Sequence, residues 1–71
     1  MVLRLSLDKL REIRKKNDLT QAQVAELLYM SGNNFGAKET GKVNLYADEL
    51  IALANLYGVS LEEFCEQEEE E

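Results

Sequence analysis

The sequence predicts an all-α domain of five short helices, and three observations carry that reading. Apolar residues recur at helical rather than strand spacing along most of the 71 residues, with no proline to interrupt them. Helix-start signals recur as well: Ser or Asp ahead of Leu10, Thr20 followed by Gln23, Ser31, and Ser60 followed by Glu63. Gly41 and Gly58 stand just past two of the apolar stretches, where a left-handed residue ends a helix.

Taken in order, Leu3, Leu5 and Leu7 alternate ahead of a helix start at Ser6 or Asp8. This short arm admits two readings: leucines that close one end of the core, or a dimer contact. The first helix is predicted over 7–16, with Leu7, Leu10 and Ile13 as its buried stripe. Asn17-Asp18 forms a turn, with Asn the residue suited to left-handed backbone. The second helix covers 21–28. Thr20 and Gln23 make a capping box, in which hydroxyl and amide satisfy backbone N–H groups reciprocally. Val24, Ala25 and Leu28 share a face, and Ala25 is small enough for another helix to approach.

Tyr29-Met30 is the next turn. Ser31 caps a third helix over 32–39, and Phe35 falls where it can pack back onto Ala25. Thr40-Gly41 ends that helix. A fourth helix covers 46–57, with Leu50, Leu53, Ala54 and Tyr57 on one face, and Gly58 terminates it. A short fifth helix opens at Ser60, with Leu61 and Phe64 inward. No strand of consequence is expected. The chain divides into one domain over 1–65 and an acidic, disordered tail over 66–71, where like charges repel and nothing apolar remains to bury. The tail reads as a solvated terminus, as the stub of a linker, or as an acidic lure competing with a ligand for the basic face.

Composition excludes several classes. No stretch approaches the ~18 apolar residues of a membrane span, and the start, Met1-Val2-Leu3-Arg4-Leu5, is too soon charged for a signal peptide. A single Cys65 cannot form an internal disulfide, which suits a reducing cytoplasm. With no His and one Cys, neither a zinc site nor a Ser-His or Cys-His nucleophile pair can be assembled. The chain is therefore expected to be no enzyme, with no cofactor and no metal. The net charge of −6 is unevenly spread. Residues 1–18 carry six basic and three acidic side chains, whereas 46–71 carry nine acids and no base. Arg14-Lys15-Lys16 complements a helix C-terminus or touches phosphates.

The corner from Thr20 to Glu39 is a helix-turn-helix pattern, whose second helix usually enters the DNA major groove. The pieces Leu10-Arg11-Glu12-Ile13-Arg14, Leu19-Thr20-Gln21, Val24-Ala25-Glu26, Met30-Ser31, Glu39-Thr40-Gly41-Lys42 and Leu50 through Ser60, at this spacing, resemble the Cro/repressor (XRE-type) helix-turn-helix family. The resemblance covers roughly residues 5–65 and implies a five-helix, lambda-repressor-like fold. It implies a cytoplasmic, sequence-specific transcriptional regulator that binds double-stranded operator DNA as a homodimer. Gln21 resembles the family's phosphate-binding residue that braces the recognition helix. Ser31, Gly32, Asn33, Asn34, Ala37 and Lys38 fall on that recognition helix or its cap, and Lys42 and Asn44 fall in the loop that meets phosphates. Arg14 and Glu39 match a structural ion pair.

The third helix departs from the family. Gly32 and Ala37 stand where side chains with hydrogen-bonding groups are usual and offer none to a base edge. Gly36 within a helix costs about 0.5–1 kcal/mol relative to Ala. Tyr29 replaces a common turn glycine, and Lys38 takes a position usually apolar. Two readings follow. Asn33 or Asn34 reads adenine through a bidentate contact, or the helix has lost its DNA-reading surface, naturally or by engineering, and the same fold serves as a protein-interaction or self-association module.

Overall fold

The computed structural model describes residues 2–68. Four α-helices form: α1 (Leu7–Lys16), α2 (Gln21–Leu27), α3 (Gly32–Glu39) and α4 (Ala47–Tyr57). Their starts follow the expected caps. Ser6 accepts from the Lys9 N–H, Thr20 from Gln23 and Ser31 from Asn34. At the start of α4 the cap is reversed: the Glu49 carboxylate reaches back to the Tyr46 N–H at 2.8 Å. Gly58 closes α4 with φ 68°, and Gly41 follows α3 with φ 88°.

Three left-handed positions are thus where glycine or an Asx residue eases them, because Asp18, rather than Asn17, takes φ 55° after α1. The fourth is not eased. Tyr29, in the turn between α2 and α3, has φ 58° and is 97% exposed.

The core is small and continuous. Leu10, Val24, Ala25, Phe35, Leu53, Ala54, Tyr57 and Phe64 are buried, and Leu5, Leu7, Ile13 and Leu50 pack against them. Each helix contributes one face, as the spacing predicts. The Tyr57 and Phe64 rings meet edge to face, 6.1 Å apart.

The fifth helix is corrected. Residues Leu61–Phe64 form a single 3-10 turn, and the Ser60 side chain makes no capping hydrogen bond. Four residues are too few to repeat the α-helical bond, so the Glu63 N–H donates to the Ser60 carbonyl and this tighter three-residue bond closes the turn instead. Phe64 points inward, but Leu61 remains 45% exposed.

The expectation of no strand is also corrected. The leucine arm forms strand β1 (Val2–Leu5), which pairs antiparallel with β2 (Cys65–Glu68), Leu5 opposite Cys65 and Leu3 opposite Gln67. Residues 66–68 of the expected disordered tail therefore lie in a strand, and 69–71 lie outside the described residues. Pairing satisfies backbone groups that charge repulsion alone would leave to water. Among the described residues no helix is long and apolar enough to cross a membrane. No cluster of His, Cys, Asp or Glu among them is arranged to hold a metal ion.

Candidate nucleic-acid interface

The corner of α2 and α3 is held from within by a buried ionic network. Arg14, on α1, donates from Nε and Nη2 to the two carboxylate oxygens of Glu39 at 2.8 and 3.0 Å. Its remaining nitrogen, Nη1, donates to the Leu19 carbonyl at 2.7 Å. Glu39 Oε1 also accepts from Gln21 Nε2 at 2.9 Å. This planar, bidentate geometry is the one in which a guanidinium binds a carboxylate best. It ties the end of α1, the start of α2 and the end of α3 together at one carboxylate. Burial alone would raise the Glu39 pKa, but the hydrogen bonds from Arg14 and Gln21 and the Arg14 charge outweigh it and hold the carboxyl below its ordinary value.

A second ion pair secures α3 to α4. Lys38 Nζ donates to Glu49 at 2.6 Å and lies 4.7 Å from the centre of the Tyr46 ring. The Glu49 carboxylate, which burial would push up, is held down by Lys38 and by the Tyr46 N–H. Lys38 was expected among the DNA-contacting residues, and the structure corrects this. Its residue is only 5% exposed and its ammonium is turned onto the Glu49 carboxylate, toward α4 and away from solvent. The local sequence gave no sign of this partner, because Glu49 lies across the loop that follows α3.

The other expected residues fall as follows. Gly32, Asn33 and Asn34 are exposed in the first turn of α3. Ser31 is exposed, with its hydroxyl committed to the Asn34 N–H at 3.1 Å, so its part is to start the helix. Ala37 is half-buried, and its carbonyl accepts from the Lys42 and Val43 N–H groups, which folds the following loop against α3. Lys42 and Asn44 are exposed on that loop. Gln21, Gly32, Asn33, Ala37 and Lys42 share one shallow depression between the start of α2 and the outer face of α3. Asn34, Ser31 and Asn44 do not line it.

Two residues that sequence reasoning did not place there complete the depression: Gly36 and Thr40. Their i,i+4 spacing on α3 was the available signal. The Thr40 hydroxyl binds the Gly36 carbonyl at 2.9 Å. Gly36 has a steric reason: a Cβ there would come within 3.3 Å of Gln21 Oε1. Its cost in helix propensity is set against a close approach of α3 to the Gln21 side chain. Gly32 has no such reason, since a Cβ would meet only the Ala22 Cα at an ordinary 3.9 Å.

Comparison with known proteins agrees with this geometry. Residues 8–66 match the family described as a helix-turn-helix domain. The chain is 35% identical over 54 residues to an uncharacterized HTH-type transcriptional regulator, YobD, of Bacillus subtilis (strain 168), an alignment covering 76% of this chain and 48% of that protein. The chain thus spans about half the length of that curated relative. No solved structure matches. With the matched region running through all four helices and the capped corner of α2 and α3 at its centre, the chain belongs to the XRE-like helix-turn-helix family.

Proposed function

We propose that this chain is a sequence-specific DNA-binding transcriptional regulator of the Cro/repressor type, acting on an operator as a homodimer. The observation that carries the reading is the division of α3 into two faces. Phe35, Lys38 and Glu39 are locked into the body, while Gly32, Asn33 and Asn34 stand in solvent, the first two beside Gln21 and Lys42. A helix so held enters a major groove as a rigid rod. Asn33 and Asn34 present amides able to bond adenine bidentately, for about 1–3 kcal/mol of discrimination each. Gln21 has one amide hydrogen on Glu39 and a second for a phosphate, while Lys42 supplies charge. The family is not typically enzymatic, and the relative's name, a transcriptional regulator, supports the same reading.

Selection from a random duplex pool tests it. Enrichment of one sequence, lost in Asn33→Ala, is the expected outcome; no enrichment even at low salt overturns it. Gly32→Gln sharpens the result, because the backbone has room for a side chain there. Enrichment only in that variant shows a DNA-reading fold whose contacts have been removed from the natural surface. Roughly three to five phosphate contacts imply a shallow log–log salt slope of about −3 to −4.5. A slope near twice that would contradict the contact set.

A further inference from the structure

The outer face of α3 carries no charged side chain. The two ionisable residues of the helix, Lys38 and Glu39, are 5 and 2% exposed and are both engaged inside the fold. The Lys38 ammonium is on Glu49, and the Glu39 carboxylate is on Arg14 and Gln21. To the shallow depression α3 gives Gly32, Asn33, Gly36, Ala37 and Thr40. The glycines bring no side chain. Thr40 is the C-cap, and its hydroxyl is turned back on the helix, shared between the Gly36 and Ala37 carbonyls at 2.9 and 3.2 Å. Recognition helices address base edges with their N-terminal residues. One carboxamide and one methyl group remain for that task, on Asn33 and Ala37, which stand four residues apart on one side of the helix.

Base edges differ in what they require of such a face. In the major groove guanine shows two acceptors, N7 and O6, which suit a guanidinium or an ammonium, and cytosine shows an amino donor, which suits a carboxylate. The outer face of α3 offers neither. Adenine shows one acceptor, N7, and one donor, N6, and a carboxamide answers both at once. Thymine adds a C5 methyl, which favours an apolar contact such as the alanine Cβ. Lys42 is the one cation lining the depression, and it stands on the loop past α3, with its N–H on the Ala37 carbonyl at 2.9 Å. From that end of the helix it serves phosphates, which position the protein without reading sequence.

We propose that the half-site read by α3 is built of A·T pairs, with the Asn33 carboxamide on an adenine and the Ala37 methyl against a thymine C5 methyl. This assignment rests on α3 being the recognition helix, as proposed above, and names the bases that the helix selects. Four residues of helix rise about 6 Å, and base steps are about 3.4 Å apart, so the thymine lies within two steps of the adenine. Gly32 lets the backbone come close. A Cβ there would meet nothing of this protein nearer than 3.9 Å, so the missing side chain leaves room on the outer side of the helix rather than inside the fold.

Selection of a duplex from a random pool by the full chain, followed by single-atom changes in that duplex, tests the assignment. A·T pairs are expected where α3 docks. Replacing the contacted adenine by 7-deazaadenine removes one hydrogen bond and should weaken binding about fivefold. Replacing the contacted thymine by uracil removes one methyl and should weaken it about fourfold. In Asn33→Ala, measured on the same duplexes at low salt, the 7-deazaadenine penalty should vanish and the uracil penalty should stay. A half-site whose guanines are sensitive to 7-deazaguanine, an A·T half-site indifferent to both base changes, or a 7-deazaadenine penalty that persists in Asn33→Ala overturns the inference. Each of these leaves DNA recognition standing, through other side chains or through DNA shape. No enrichment even at low salt overturns α3 as the recognition helix, and the base assignment with it.

Discussion

The α2–α3 corner and the end formed by β1, the 3-10 turn and β2 are stabilised by different physics. The corner is built from short-range signals: a capping box at Thr20, a cap at Ser31 and small Ala25 between them. It is then tied by one buried carboxylate, Glu39, that serves three elements. The opposite end has no buried ion pair among the described residues. It closes through Phe64 against Tyr57 and through backbone pairing between residues sixty or more positions apart. The corner is thus held by directional bonds, whereas the closing seam is held by apolar burial and a ladder.

Substitutions at four positions would sharpen that contrast. Glu39→Ala leaves the Arg14 guanidinium buried without its carboxylate, and should cost about 3–5 kcal/mol in chemical denaturation. Acid should reproduce part of the effect. The folded chain holds Glu39 ionised to a lower pH than the unfolded chain does, so unfolding takes up a proton between the two pKa values. The stabilisation is complete above the usual carboxylate range and is lost as pH falls through the depressed folded-state value. Glu39→Gln should flatten that acid limb; an unchanged limb would remove Glu39 from the account.

Phe64→Ala, at the other end, should cost about 3 kcal/mol or more through the cavity it leaves. That loss should not change between pH 4 and neutrality (roughly the carboxylate range), because no titrating group faces the ring contact at acid pH. A loss that grew with acidity would mean that the two ends are one electrostatic unit.

Tyr29→Gly should stabilise by about 1 kcal/mol, since the ring is exposed and the backbone is left-handed. A destabilised variant would show that the exposed ring has a packing role. The smallest effect is expected at Tyr57→Phe, within about 1 kcal/mol of neutral and on the stabilising side, because the buried Tyr57 hydroxyl has no hydrogen-bond partner among the described residues. Burial and the nearby Glu39 charge push the Tyr57 phenol up to about 12. The neutral ring is favoured in the folded state, so stability is lost as pH rises from the ordinary phenol value toward 12, and Tyr57→Phe should remove that alkaline loss when thermal melts are compared.

Most of the fold was legible in the sequence, and the candidate site only in part. Helices α1 and α3 begin and end where caps and turn residues place them, and α2 and α4 differ from the expected bounds by one residue each. Caps are local: a hydroxyl binds an N–H three residues away whatever the rest of the chain does. The exposed first turn of α3 followed from the family resemblance, which places Gly32, Asn33 and Asn34 on the recognition helix. Lys38 and Glu49 did not, because their pairing depends on how the loop through Leu45 returns α4 against α3. The strands were missed for a related reason. Four-residue β1 has a legible alternation but no stability alone, and Cys65–Glu68 reads as a charged tail until β1 lies beside it.

By itself, then, the order of residues determined the helices, the capped corner and the apolar faces that must meet, since these rest on interactions within a few positions along the chain. The folded structure alone decided which charges are buried and which face of α3 reaches solvent. Those outcomes depend on distances between segments far apart in sequence, and such distances exist only once the core has brought the segments together.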